Sequence, residues 1–223
     1  MTDLTATLLD RLDAALTDAR DSLRAMEMAA YMRDQFSYFG VPAPALRTIE
    51  RAAFAGLPRP SAADLREFAL ACWSRDEREF QYAACDYLRK FAPAADFLPT
   101  ARTLIVTKSW WDTVDPLATR VVGDLVRAHP ALVAAMDEWS AEENMWLVRT
   151  AILHQLHYGG ATDTDRLFGY CERQAGHPDF FVRKAIGWAL RHYARTDPGA
   201  VRAFVAATPS LSPLSRREAM KHL

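Results

Sequence analysis

The residues best placed to do chemistry lie in one short run, Thr107-Lys108-Ser109-Trp110-Trp111-Asp112-Thr113-Val114-Asp115-Pro116. Two adjacent tryptophans are followed, four residues beyond the second, by a carboxylate. On a helical turn Trp111 and Asp115 share a face. These residues by themselves leave two roles open for Asp115. Next to Pro116 it suits the first turn of a helix, as an N-cap or as a complement to the helix dipole. Alternatively its charge serves a reaction. A second group lies at Phe180, Lys184, Trp188 and Arg191, one face of a helix read from about Phe180 to Tyr193, while Val182, Ile186, Ala189 and Tyr193 form its core stripe. An aromatic between two cations, turned from the core, suits a polyanion that carries sugars and bases. The plainer reading packs Trp188 on a neighbouring element, with the cations snorkelling around it.

The elements that must position these side chains are helices. Strand signals are nearly absent, with no period-2 alternation and no Asn-Gly turn. Leu4, Leu8, Leu12, Ala15, Leu16, Ala19 and Leu23 predict one apolar stripe through a single first segment, and recurrent Gly and Pro punctuation leaves about a dozen helices of roughly ten to eighteen residues. Five segments share a loose apolar–polar–x–small–apolar pattern at a constant offset of 34 residues: Phe80–Ala84, Val114–Ala118, Val148–Ile152, Val182–Ile186 and Arg216–Met220. A period in the thirties with two helices per unit predicts an all-α solenoid, curved, with the second helices lining a concave side. No long linker divides the 223 residues, so one domain over 1–223 is expected.

Composition narrows the function classes. No run approaches the ~18 apolar residues of a membrane span, and the polar first dozen residues do not read as a signal peptide. Three scattered cysteines, Cys72, Cys85 and Cys171, contain no CxxC pair and read as reduced thiols of a cytoplasmic protein. The net charge of −1 weighs against nucleic acid, but it is unevenly spread. Residues 1–34 hold six Asp, one Glu and four Arg, whereas residues 183–223 hold eight Lys or Arg against two acids. One end therefore offers a basic surface.

Four segments resemble the AlkD-like DNA alkylation repair glycosylases, a family of HEAT-like repeats. They are Met28-Ala29-Ala30-Tyr31-Met32-Arg33-Asp34-Gln35-Phe36, Lys108 to Asp115, Trp146-Leu147-Val148-Arg149, and Phe180 to Arg191. The resemblance runs in order over nearly the whole chain; the net charge and Pro116 depart from it. It implies a monofunctional, monomeric enzyme that needs no metal or organic cofactor. Its substrate would be duplex DNA carrying purines alkylated at N3 or N7, and the N-glycosidic bond would be hydrolysed without flipping the base. A cationic purine is already a good leaving group, and a fixed carboxylate stabilises the oxocarbenium ion left on the sugar. The resemblance gives that role to Asp115, places Trp111 and Trp188 beside the sugar and backbone, and gives Arg149 a phosphate. Lys108, Tyr31, Phe180, Phe181, Lys184 and Arg191 complete the DNA contacts it implies. The 34-residue register sets His154 and His157 level with Trp188 and Arg191, so both are expected on the groove, touching phosphate. No third ligand stands near them for a metal. Ser109 reads as a helix cap. The competing reading is a non-catalytic solenoid that binds nucleic acid or protein; a carboxylate between two exposed aromatics is what such a scaffold would not need.

Overall fold

The computed structural model describes residues 1–223, all of them helix and connecting turn, with no β-sheet; an isolated pairing of Ser37 with Glu77 is the one bridge. Two compact units divide at Thr100 and Ala101.

The first unit holds α1 (Asp3–Asp18), α2 (Ser22–Tyr31), α3 (Ala43–Phe54), α4 (Ala62–Ser74) and α5 (Arg78–Phe91), and the division falls within α6 (Leu98–Val106). Leu8, Leu12 and Leu16 are fully buried, as the apolar spacing requires. The stripe does not run on to Leu23, however. The chain breaks after Asp18, Asp21 caps a separate α2 by accepting from the Arg24 N–H at 3.0 Å, and Leu23 is 66% exposed. A new cap re-aims the chain more cheaply than one long helix can bend. The loop between α2 and α3 is clasped by Glu79 of α5, whose carboxylate accepts from the backbone N–H groups of Phe39, Gly40 and Val41 at 2.9–3.1 Å. Gly40 has a φ of 90°, and a Cβ there would lie 2.1 Å from the Asp21 carbonyl oxygen, so only glycine fits.

Glu50 of α3 is the odd member of this core. It is 5% exposed and stands against Asp86 of α5. Burial, and then the Asp86 charge, push its carboxyl up to about 8, against the weaker pull of Arg47 and Arg51. The folded protein thus keeps a proton that the unfolded chain releases near pH 4.5. The stability that this proton contributes is complete below that pH and is lost as the pH rises toward 8. Urea unfolding at pH 5 and pH 8 should differ by on the order of a few kcal/mol. Glu50→Gln should flatten that difference; a slope unchanged in the variant would assign it to another group.

In the second unit α7 (Trp111–Pro116) runs without a break into a π-helical turn, Leu117–Val122, and on into α8 (Gly123–Ala128). Pro116 explains the change of winding. It has no N–H for the carbonyl four residues back and its ring crowds that carbonyl, so the bonding pattern widens. The Thr119 hydroxyl donates to the Asp115 carbonyl oxygen at 2.8 Å within this turn. Then follow α9 (Val133–Trp139), α10 (Met145–Leu153), α11 (Thr164–Arg173), α12 (Phe180–Tyr193), α13 (Pro198–Ala207) and α14 (Pro213–Ala219). The segments starting at Val114, Val148, Val182 and Arg216 lie on α7, α10, α12 and α14; α10 packs on α7 and α12, and α12 packs on α14. Helices one repeat apart are therefore neighbours, the order a solenoid demands. Val182 and Ile186 are fully buried and Ala189 nearly so, while Phe180 is 54% exposed.

Candidate active site

The site is organised by two side chains at the same register position one repeat apart. Arg149 of α10 grips Asp115 of α7 with two parallel bonds, Nε–H to Oδ1 at 2.7 Å and Nη2–H to Oδ2 at 2.8 Å. Its Nη1–H donates to the Phe181 carbonyl oxygen in the first turn of α12. That carbonyl sits where Asp179 caps the helix by accepting from the Phe181 N–H. Three successive inner helices thus meet at one guanidinium. Arg149 is buried and Asp115 nearly so, with side-chain exposures of 4% and 16%.

This geometry takes the N-cap role away from Asp115. The cap position of α7 is Trp110, in extended conformation and without a side-chain cap bond. Asp115 lies inside the helix, and its two oxygens meet Arg149 rather than backbone N–H groups. Burial raises the Asp115 carboxyl above its ordinary value, the Arg149 bonds and charge pull it down, and the Asp112 charge raises it again. Burial works against the ionised carboxylate, and the paired guanidinium is what favours it.

Arg149 stands differently from the phosphate contact expected of it: its fork is spent on Asp115 and on a carbonyl. A planar guanidinium matches a carboxylate edge to edge, and burial favours that pairing. Below the pair lies an aromatic cluster. Phe181 stacks edge-on with Trp110 at 5.0 Å between ring centroids and tilts against Trp146 at 5.1 Å. Phe181 is thus part of this cluster, and Phe180 is the exposed member of the two. Of the paired tryptophans, Trp110 joins the cluster and Trp111 opens α7, half-buried, one turn before Asp115. Lys108 precedes them with a φ of 49°. That left-handed residue lets the chain leave α6 and enter α7 within a few residues. The Ser109 hydroxyl donates back to the Ile105 carbonyl oxygen at 2.6 Å, so it closes α6 rather than capping α7.

Trp188 is half-buried on α12, where with Arg191, His192 and Arg195 it lines a cavity of about 550 Å³. Lys184 and Arg191 both hold Glu218 of α14, Lys184 at 2.8 Å. Neither is an unshielded cation. Tyr31, at the end of α2 in the first unit, is 73% exposed, on a helix with no buried residue.

His154 corrects the sequence reading. It is 1% exposed, its Nδ1 lies 2.7 Å from the Ala151 carbonyl oxygen, and the rings of Tyr158 and Tyr170 pack on it. Burial lowers its pKa to about 4, so it stays neutral and offers phosphate nothing. The register fails there because α10 ends at Leu153, whereas α12 continues to Tyr193. His157 is half-exposed, edge-on to the His192 ring at 5.4 Å. No group of three or more His, Cys, Asp or Glu is arranged to hold a metal, and no helix is long and apolar enough to cross a membrane. The cysteines are free and buried.

Sequence reasoning missed the Asp115–Arg149 pair and Glu218. The first was signalled by equal register positions with opposite charge.

Fold and site define an all-α solenoid whose inner helices converge on a buried carboxylate–guanidinium couple beside tryptophans and cations. The chain belongs to the DNA alkylation repair enzyme family, whose model matches residues 12–223. Its structure is similar to that of a predicted DNA alkylation repair enzyme from Enterococcus faecalis, with a TM-score of 0.82 and 29% identity over 92% of this chain and 96% of the other. No curated protein matches the sequence significantly.

Proposed function

We propose that the protein is a monofunctional DNA glycosylase that hydrolyses the N-glycosidic bond of N3- and N7-alkylated purines in duplex DNA. It would act as a cytoplasmic monomer in base excision repair, without flipping the base. The observation that carries this is the Asp115 carboxylate, buried, charged through Arg149 and free of any capping duty.

The chemistry follows from the leaving group. An alkylated purine departs with both electrons of the C1′–N bond and becomes neutral as it leaves. Positive charge passes to C1′ and the ring oxygen, where the Asp115 carboxylate and the π face of Trp111 favour it. Water adds to C1′ on the face that Asp115 orients and gives its extra proton to the carboxylate or to solvent, leaving the free base and an abasic site. Arg149 holds the carboxylate in register and ionised. Trp188 supplies a second π face, and Lys108, Lys184 and Arg191 take backbone phosphates. Base release from methylated duplex DNA tests the reading; no release by folded protein would leave a non-catalytic binding solenoid.

Absence of base flipping makes a separate expected result. A snug base pocket rejects large substituents, whereas a site that meets sugar and backbone does not measure the base. Release of N7-methylguanine and of a much bulkier N7 adduct should proceed at rates within about tenfold, the difference left to modest steric terms. Complete refusal of the bulky adduct would establish a pocket.

A further inference from the structure

The two cations beside Trp188 are already occupied. Lys184 and Arg191 are one turn before and one turn after Gly187 on α12, and Glu218 of α14 lies over Gly187 between them. The approach is unusually close: a Cβ on Gly187 would sit 2.4 Å from the Glu218 Cβ and 2.9 Å from the Ser215 carbonyl oxygen. Absence of a side chain at Gly187 is thus what lets one carboxylate reach both cations, with Oε1 on Lys184 and Oε2 on Arg191. The Glu218 side chain is 13% exposed, and the paired cations hold its carboxyl below the usual range, Lys184 contributing most. An ammonium and a guanidinium spanned by two acidic oxygens is the arrangement that a backbone phosphate would make with the same residues.

We infer that Glu218 is an internal stand-in for a DNA phosphate, which neutralises Lys184 and Arg191 in the free protein and so limits affinity for undamaged duplex. The inference rests on the proposed DNA-binding role of this face. Its physical content is an exchange. A phosphate approaching Trp188 must displace the carboxylate or share the cations with it, so each contact gains only the difference between two anions. Undamaged DNA then leaves readily. Four full phosphate contacts, at Lys108, Arg149, Lys184 and Arg191, would give a log–log salt slope of about −3.6. With Arg149 spent on Asp115 and two others shared with Glu218, the native slope should be clearly shallower.

Glu218→Gln tests this, because it keeps the shape and one accepting oxygen while removing the charge. Binding of an undamaged fluorescent duplex is measured from 50 to 300 mM salt, with thermal unfolding alongside. One restored phosphate contact should steepen the slope by about 0.9, equivalent to roughly five- to tenfold tighter binding at 0.1 M salt. The control is Glu172→Gln on α11, an exposed carboxylate with the same effect on net charge. Equal gains from both variants would make the effect one of net charge and overturn the inference. Equal or weaker binding by Glu218→Gln would also overturn it, making Glu218 a structural brace or an organiser of the cations. If Glu218→Gln fails to fold, Glu218→Asp withdraws the carboxylate by one methylene and should give a smaller gain of the same sign; no gain counts against the proposal. A native protein with no salt-dependent duplex binding is a different outcome, which removes the DNA-binding reading and this inference with it.

Discussion

Asp115→Asn is expected to slow single-turnover release of N7-methylguanine by about 10²–10³, the usual consequence of removing one preorganised charge from a transition state. Cationic bases already leave easily, which places the loss toward the lower figure. The variant is also expected to lose stability, for a reason found in the Arg149 contact. Asparagine keeps one oxygen for the guanidinium but presents its amide to the other N–H, and the Arg149 charge is left buried without its partner. Breaking a buried pair from one side costs about 3–5 kcal/mol, less here because one hydrogen bond survives. Rate and stability are separated by the double variant Asp115→Asn with Arg149→Gln. Two amides can bond to each other without a buried charge, so unfolding temperature should recover toward the native value while release stays slow. Normal release by a folded Asp115→Asn protein would end the catalytic assignment.

Arg149→Gln alone is expected to move the acid limb of the pH–rate profile to higher pH. In the proposed mechanism Asp115 works ionised, so activity should be lost as the pH falls through its pKa. Burial already lifts that pKa above the ordinary 3.8, and Arg149 is the group pulling it back. An adjacent arginine commonly lowers an aspartate by about 1–3 units, so the limb should rise by a similar amount, with the rate falling about tenfold per pH unit below it. Raising the pH should restore much of the activity, which a mere folding defect would not show. If instead the limb stays in place and affinity for damaged and undamaged duplex falls alike, Arg149 is a phosphate contact after all.

The sequence by itself determined the periodic part of this protein. A 34-residue offset that repeats from Val114 to Met220 places equivalent side chains on neighbouring helices, and that is where α7, α10, α12 and α14 carry them. Burial of Val182 and Ile186 with exposure of Phe180 follows from helical spacing alone. The Asp115–Arg149 pair was within reach of the same argument, since position two of successive repeats holds opposite charges. Local chemistry set other limits. Asp21 ends the reach of the first apolar stripe because a side-chain cap competes with continuation of the helix, and Pro116 forces the π-helical turn.

What tertiary structure alone decided is the state of the polar groups. The sequence marks Arg149, Lys184 and Arg191 as cations, but not that each faces a carboxylate, because the pairing depends on how closely two helices approach. Gly187 sets that distance for Glu218 through an absent side chain, which no hydrophobic pattern records. His154 shows the same from the other direction: the register sends it toward the inner face, but α10 stops one residue short of it, and the turn that follows buries the ring against Tyr158 and Tyr170. Spacing along the chain fixes which face a side chain starts from. Whether it meets water, an ion or a ring is fixed by what the neighbouring helix brings to within hydrogen-bonding distance.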